Sequence, residues 1–244
     1  MTEFDRTNWA RAEFGQRFIE EADIYVVERR RMLEILGSFY RHFIKDKPGK
    51  KILDLGCGDG ILTHELLKID SSLSATLVDG SAEMLERAES RLKGFKGINY
   101  VRASVQEMPR DDILRQKFDF IISSLAIHHL SSGEKKELFG RVYSMLSDGG
   151  YFLNIDVVLA PAPALDGFYM RLWREWIDER KASPGITDEE PGDIIRRYKD
   201  NTDNKPDTLD YQVGALKEAG FQDVDCYYKY GIFTIYGGRK SLRF

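Results

Sequence analysis

Two apolar patterns alternate along the chain: short continuous runs, and spacings of three and four residues. Over residues 14–43 the apolar positions Phe14, Phe18, Tyr25, Met32, Leu36, Phe39 and Phe43 recur mostly at helical spacing, which predicts one amphipathic helical stretch. Pro48 and Gly49 end it. Residues 52–55 form a short apolar run with the character of a buried strand, and a glycine-rich turn leads into a helical pattern through Ile61, Leu62, Leu66, Leu67 and Ile69. The alternation repeats, with strands predicted at residues 75–78, 98–101, 118–123 and 151–158. Ser81 is placed to cap a helix carrying Met84, Leu85 and Ala88 on one face. Ser131 and Glu134 have the spacing of a capping box, and the helix after them carries Leu138, Val142, Met145 and Leu146 inward until Asp148-Gly149-Gly150 stops it. Strands and helices in this order predict an α/β, doubly wound, Rossmann-like sheet.

Two regions depart from that rhythm. Residues 161–206 are too long for a simple connection, with a helix expected around 168–181, a Pro184-Gly185 break and a second helix near 193–199. They read as an inserted helical cap. At the end, a helix over 209–219 and a Gly220 stop precede strands at 224–230 and 233–236. Only Gly231 and Ile232 join those strands, too short a link for a parallel crossover, so the pair is antiparallel and the sheet is mixed. The expected organisation is an N-terminal helical segment, residues 1–50, and one domain over 51–244 that contains the cap.

Composition narrows the function classes. With 42% hydrophobic and 31% charged residues the 244-residue chain is an ordinary globular protein. Its formal charge of −4 disfavours a nucleic-acid partner, because phosphate-backbone binders carry a basic excess. Cys57 and Cys226 are too few for a disulfide framework or a cysteine zinc site, which fits a reducing, cytoplasmic setting. Residues 1–22 lack the apolar core of a signal peptide and no stretch reaches membrane-spanning length, so no membrane association is expected. The oligomeric state stays open, a homodimer included.

Gly56, Gly58 and Gly60 lie between a buried strand and a helix start, where glycines let the backbone approach a ligand. A nicotinamide fingerprint needs a small residue six positions into the motif, and that position is Ile61. Asp79, at the end of the next strand, is placed to accept hydrogen bonds from ribose hydroxyls.

Asp54-Leu55-Gly56-Cys57-Gly58-Asp59-Gly60, Asp79-Gly80-Ser81, residues 118–130, Ser147-Asp148-Gly149-Gly150 and Ala219-Gly220-Phe221 together resemble the class I S-adenosylmethionine-dependent methyltransferases, over about residues 51–240. That resemblance implies a seven-stranded sheet with its last strand antiparallel, and S-adenosyl-L-methionine held by Asp54, Gly56, Gly58, Gly60, Asp79, Gly80, Ser104, Val105 and Ser124. Where the family commonly has an Asp after the third strand, this chain has Arg102-Ala103-Ser104-Val105, which leaves adenine recognition to Ser104, the Val105 amide and Gln106. Tyr25, Ser124 and Arg197 are also similar in position to the tyrosine, asparagine and arginine of the carboxy-S-adenosylmethionine synthase branch. That branch implies a carboxylated cofactor and a role in tRNA wobble-uridine modification.

Methyl transfer is an in-line displacement that needs alignment and water exclusion more than any one residue. His128 and His129 are placed to supply a base or orient an acceptor, and packing within a loop is the alternative. Asp156 is placed either to bind an acceptor amine or hydroxyl or to cap a loop. Phe168, Tyr169, Trp173 and Trp176 line an acceptor pocket or pack a helix. Arg171, Arg174, Arg196 and Arg197 read as solvated helix faces, with Arg197 able to hold an acidic group if it turns inward. No acidic or cysteine partner follows the histidine pair at ligand spacing, so no metal is expected. The reading is a methyltransferase acting on a small-molecule acceptor; the alternatives are a non-catalytic nucleotide-binding subunit, a nicotinamide-dependent dehydrogenase, and the carboxylated-cofactor enzyme.

Overall fold

A computed structural model describes residues 4–106, 116–181 and 190–242. Seven strands form one sheet: β1 (Lys51–Leu55), β2 (Ser74–Asp79), β3 (Ile98–Arg102), β4 (Phe118–Ser124), β5 (Leu146–Val157), β6 (Gln222–Tyr230) and β7 (Phe233–Arg239). Their order across the sheet is β3-β2-β1-β4-β5-β7-β6. β1 pairs parallel with β2 on one side, Asp54 opposite Leu77, and with β4 on the other, Asp54 opposite Ile122. β7 runs antiparallel to both β5 and β6, as the two-residue link requires.

Alternate residues of the central strands enter two core layers, which explains their near-continuous apolar character. Ile52, Phe120 and Ile122 face one layer with Leu36, Phe39 and Tyr40 of α2 (Arg29–Phe43) and Leu62 and Leu66 of α3 (Ile61–Ile69). Leu53, Leu55 and Ile121 face the other, with Leu138, Phe139 and Val142 of α5 (Ser132–Met145) and Leu216 of α8 (Leu209–Glu218). α4 (Ala82–Leu92) buries Met84, Ala88 and Leu92. Phe120 and Phe152 are fully buried, sites where truncation to alanine costs about 3–5 kcal/mol. The expected caps are present: the Ser81 hydroxyl accepts from the Met84 amide, and Ser131 and Glu134 bond reciprocally.

Three sequence expectations are corrected. The single helical stretch over 14–43 is two helices, α1 (Ala12–Tyr25) and α2, separated by Val26, Val27 and Glu28. Both valines are buried and Glu28 is left-handed at φ 53°, so the chain turns to insert two consecutive β-branched side chains that a helix would send to different faces. Helix α5 ends at Met145, before Asp148-Gly149-Gly150, because Leu146 already pairs with Phe118. The two glycines lie within β5, where the register shifts and Gly149 has φ 72°. The first cap helix, α6 (Pro163–Lys181), begins earlier than expected, with Pro163 in the first turn, where its missing N–H costs nothing. The expected Pro184-Gly185 break lies outside the described residues. α7 (Pro191–Asp200) likewise has proline at its first position. Among the described residues no helix is long and apolar enough to cross a membrane.

The N-terminal segment crosses the C-terminal edge of the sheet. The Phe4 ring packs so closely on Gly80 that a Cβ there would sit 2.7 Å from it, and the Asn8 amide donates to Asp203 Oδ2 at 2.9 Å. Lys135, fully buried, donates to Asp207 at 2.7 Å and to the Lys205 carbonyl, which pins the chain between α7 and α8 onto α5.

Candidate active site

Strand order reverses between β2-β1 and β4, and the crevice outside the carboxyl ends of such strands is where open α/β sheets bind ligands. Here it is shaped by the loop after β1. Gly56 has φ 63°, and a Cβ would lie 2.4 Å from Ala126 Cβ, so conformation and space both demand glycine. The Gly58 amide donates to Asp79 Oδ2 and the Ser81 amide to Asp79 Oδ1, each at 2.9 Å. One carboxylate thus ties the glycine loop to the start of α4. Asp54 is buried; its Oδ2 accepts from Thr63 Oγ1 at 2.7 Å, while Oδ1 has no partner among the described residues. Burial raises its carboxyl to about 7 and raises that of Asp79 as well.

The resulting cleft is open to solvent and, counted with that open space, spans about 1210 Å³. Asp54, Gly56, Gly58, Asp79, Gly80, Ser104, Val105, Ser124 and His129 line it. Gly60 is not among its walls: a Cβ there would lie 3.1 Å from Ala88 Cβ, so this glycine serves the packing of α3 on α4. Burial pushes the Cys57 thiol well up, which leaves it inert. The opposite wall comes from Phe4, Thr7 and Trp9, which the sequence showed only as part of a polar N-terminal stretch, and from Ile19, Ala22 and Val26 of the stretch read as helical.

A second chamber, open on one side and spanning about 680 Å³ with its solvent-open space, adjoins the first and shares Trp9, Val26, Leu125 and His129 with it. Leu125 is left-handed at φ 51°, a strained conformation held at the point where β4 meets both cavities. Aromatic walls come from Phe14, Tyr25, Trp173, Tyr198 and Phe233, and polar groups from Arg197, Asn201, Asn204 and His128. Tyr25 therefore belongs to this chamber and not to the glycine cleft. Its hydroxyl donates to Glu21, its carbonyl accepts from Trp173 Nε1 at 2.8 Å, and the Arg197 guanidinium lies 5.5 Å from its ring centre. Arg197 does turn inward. Of the cap aromatics only Trp173 and Tyr198 reach the chamber: Phe168 is 46% exposed, Tyr169 stacks under Lys229, and Trp176 is buried beneath Arg180.

His128 Nδ1 lies 2.6 Å from Asp156 Oδ1. Asp156 is buried behind the histidine, outside both cavity walls, and also accepts from the Val157 amide at 3.0 Å and Asn154 Nδ2 at 3.2 Å. Asn154 in turn donates to the Tyr236 hydroxyl at 2.7 Å. A carboxylate on Nδ1 fixes the tautomer and directs Nε2 as the basic nitrogen. His129 differs: its Nδ1 lies 3.1 Å from the Asp203 carbonyl, and Nε2 is buried with no partner among the described residues. Burial, then the charge of His128, hold its basicity well below that of an ordinary imidazole. No cluster of three or more metal-ligating side chains occurs among the described residues.

Residues 52–150 match the family model of the methyltransferase domain. The chain is 29% identical over 123 residues to a malonyl-[acyl-carrier protein] O-methyltransferase of Halalkalibacterium halodurans, covering 50% of this chain and 44% of that one. It is 25% identical over 227 residues to a glycine/sarcosine N-methyltransferase of Aphanothece halophytica, 88% of this chain and 82% of that one. It is 21% identical over 207 residues to a carboxy-S-adenosyl-L-methionine synthase of Nautilia profundicola, covering 84% and 82%. Among solved structures, an O-methyltransferase family protein from Burkholderia thailandensis superposes with a TM-score of 0.68 at 12% identity, over 98% of this chain and 63% of that one. Thus the chain spans less than half the length of the first of these relatives and most of the next two. Fold and match together mark a methyltransferase domain of Rossmann-like fold, the match covering residues 52–150 and less than half of the chain. S-adenosyl-L-methionine is the cofactor of such methyltransferases, and the chemistry of the glycine cleft suits a cationic ligand: the carboxylates of Asp54 and Asp79 line it, and the buried Oδ1 of Asp54 has no partner among the described residues.

Proposed function

We propose that the protein transfers a methyl group to a small-molecule acceptor held in the second chamber, with the cofactor in the glycine cleft. Asp79, which has lone pairs beyond the two amide bonds it accepts, holds the ribose hydroxyls. Asp54 faces the cationic end, the backbone at Gly56 and Gly58 lies along the chain between them, and Ser104, Val105 and Gln106 receive the adenine. When bound, the cofactor supplies an electrophilic methyl carbon; the protein supplies alignment and a proton acceptor. His128 is that acceptor. Asp156 orients the ring and stabilises the imidazolium as it forms, a role worth about 10²–10⁴ in rate. The N-terminal segment, residues 1–50, and the cap over about 161–206 enclose the acceptor, and the domain proper extends over 51–244. A formal charge of −4 and chamber walls rich in aromatic side chains favour a small molecule over nucleic acid, in a cytoplasmic setting.

The observation that carries this reading is the pair of adjoining cavities that share Leu125 and His129, with a carboxylate-backed histidine in the second. Its test is turnover: the protein incubated with S-adenosyl-L-methionine and a panel of small hydroxylated and amine acceptors should produce S-adenosylhomocysteine with at least one of them. Cofactor binding without turnover of any would favour a non-catalytic subunit. The placement of Arg197 over Tyr25 favours a second reading, in which the cofactor is carboxylated and the chain resembles the synthase branch in function. Mass spectrometry of the co-purified ligand separates the two, since the carboxylated cofactor carries the extra mass of a carboxyl group.

A further inference from the structure

The two histidines are adjacent, with ring centres 4.0 Å apart, yet their surroundings give them different capabilities. A carbonyl oxygen only accepts, so the Asp203 carbonyl requires Nδ1 of His129 to carry the hydrogen. In the neutral ring Nε2 is then a bare lone pair, buried and without a partner among the described residues, on a side chain that belongs to the walls of both cavities. A buried acceptor left unmatched is costly, so this nitrogen needs a donor when the site is full. His129 has no carboxylate behind it and is poorly suited to take up a proton. His128, one residue away, has Asp156 and takes the same tautomer.

We infer that the acceptor presents two neighbouring hydrogen-bond donors on a planar ring: one hydroxyl loses its proton to His128 and is methylated, and its neighbour donates to His129 Nε2. Trp9, edge-on to His129 at 5.5 Å, and Tyr25, Trp173 and Tyr198 form walls suited to such a ring. In the transfer, the hydroxyl proton passes to His128 Nε2. A lone pair of the acceptor oxygen forms the bond to the methyl carbon, the carbon–sulfur bond breaks, and its electrons remain on sulfur. The charge of the sulfonium is thereby replaced by that of the imidazolium, which Asp156 stabilises. His129 is a specificity residue in this scheme and not a second base.

The inference rests on the reading of the second chamber as the acceptor site, and the test separates the two. With S-adenosylhomocysteine bound, affinities for catechol, resorcinol and phenol are measured by calorimetry on the whole chain. Catechol, whose hydroxyls are adjacent, should bind about tenfold more tightly than either of the others. His129→Phe should bring the three affinities together, and His129→Gln, which keeps an acceptor oxygen, should retain much of the preference; thermal melts confirm that both variants fold. Equal affinities in the wild type, no binding of catechol, or a preference that survives His129→Phe would overturn the inference. The acceptor-site reading fails separately if His128→Ala methylates a turned-over acceptor as fast as the wild type.

Discussion

The two cavities are built in opposite ways. The glycine cleft is a local construction: Asp54, Gly56, Gly58, Asp79 and Gly80 lie within one strand-turn-helix-strand unit, and backbone conformation does much of the shaping. The second chamber is assembled from Trp9, Tyr25, His128, Trp173 and Arg197, brought together from the N-terminal segment, the edge of the sheet and the cap. A site made from backbone tolerates little change of residue within its loop. A site made from distant side chains can change its ligand without disturbing the glycine loop.

The contrast breaks most sharply at His128. His128→Ala should lower kcat by about 10²–10⁴ on any acceptor the wild type methylates. A loss below tenfold would remove the histidine from the base role. On the cofactor side, Gly56→Ala places a Cβ 2.4 Å from Ala126 at a left-handed φ, so chemical denaturation should show about 1–3 kcal/mol less stability together with weakened cofactor binding. Unchanged stability would mean that the loop is softer than its geometry implies.

A pH titration sharpens the same comparison. Asp54 in the folded protein titrates near 7, above its unfolded value, so the folded state binds more protons between the two and stability without cofactor should fall as pH rises from about 4 to 7. A cationic ligand prefers the ionised form. Cofactor affinity should therefore rise about tenfold from pH 6 to pH 8, and Asp54→Asn should flatten the profile. A wild-type profile already flat over that range would remove Asp54 from contact with the cationic end. The smallest effect concerns the N-terminal segment over both cavities. Asp203→Ala removes the acceptor of the Asn8 amide, and hydrogen exchange at residues 7–10 should quicken by an amount equivalent to about 0.5–1.5 kcal/mol. Unaltered exchange would mean that this hydrogen bond does not hold the segment in place.

Legibility in the sequence follows the same divide. The succession of strands and helices, the antiparallel final pair and the residues around Gly56 and Asp79 could be read because periodicity, turn chemistry and short spacings encode them locally, whereas the order of strands across the sheet is a tertiary fact. Gly60 was assignable to the ligand only because a sequence cannot distinguish a glycine that admits a ligand from one that admits Ala88 of a neighbouring helix. The break at Glu28 was hidden because Val26 alone fits the apolar phase of a helix, while the tertiary burial of Val26 and Val27 together that breaks it is not encoded locally. His128 and Asp156 were both singled out, but their contact spans 28 positions and depends on β4 lying beside β5. Trp9 and Phe4 carried a faint signal, aromatic residues in a polar leader, whose meaning appears only once Gly80 and His129 lie beneath them.

The central claim is that cofactor and acceptor chemistry occupy separate, adjoining sites. Calorimetric titration of S-adenosyl-L-methionine into the wild type, Asp79→Ala and His128→Ala tests it most directly. The account predicts at least tenfold weaker binding for Asp79→Ala, and for His128→Ala a Kd equal to that of the wild type. Unchanged binding in Asp79→Ala, or an equal loss in both variants, would contradict it.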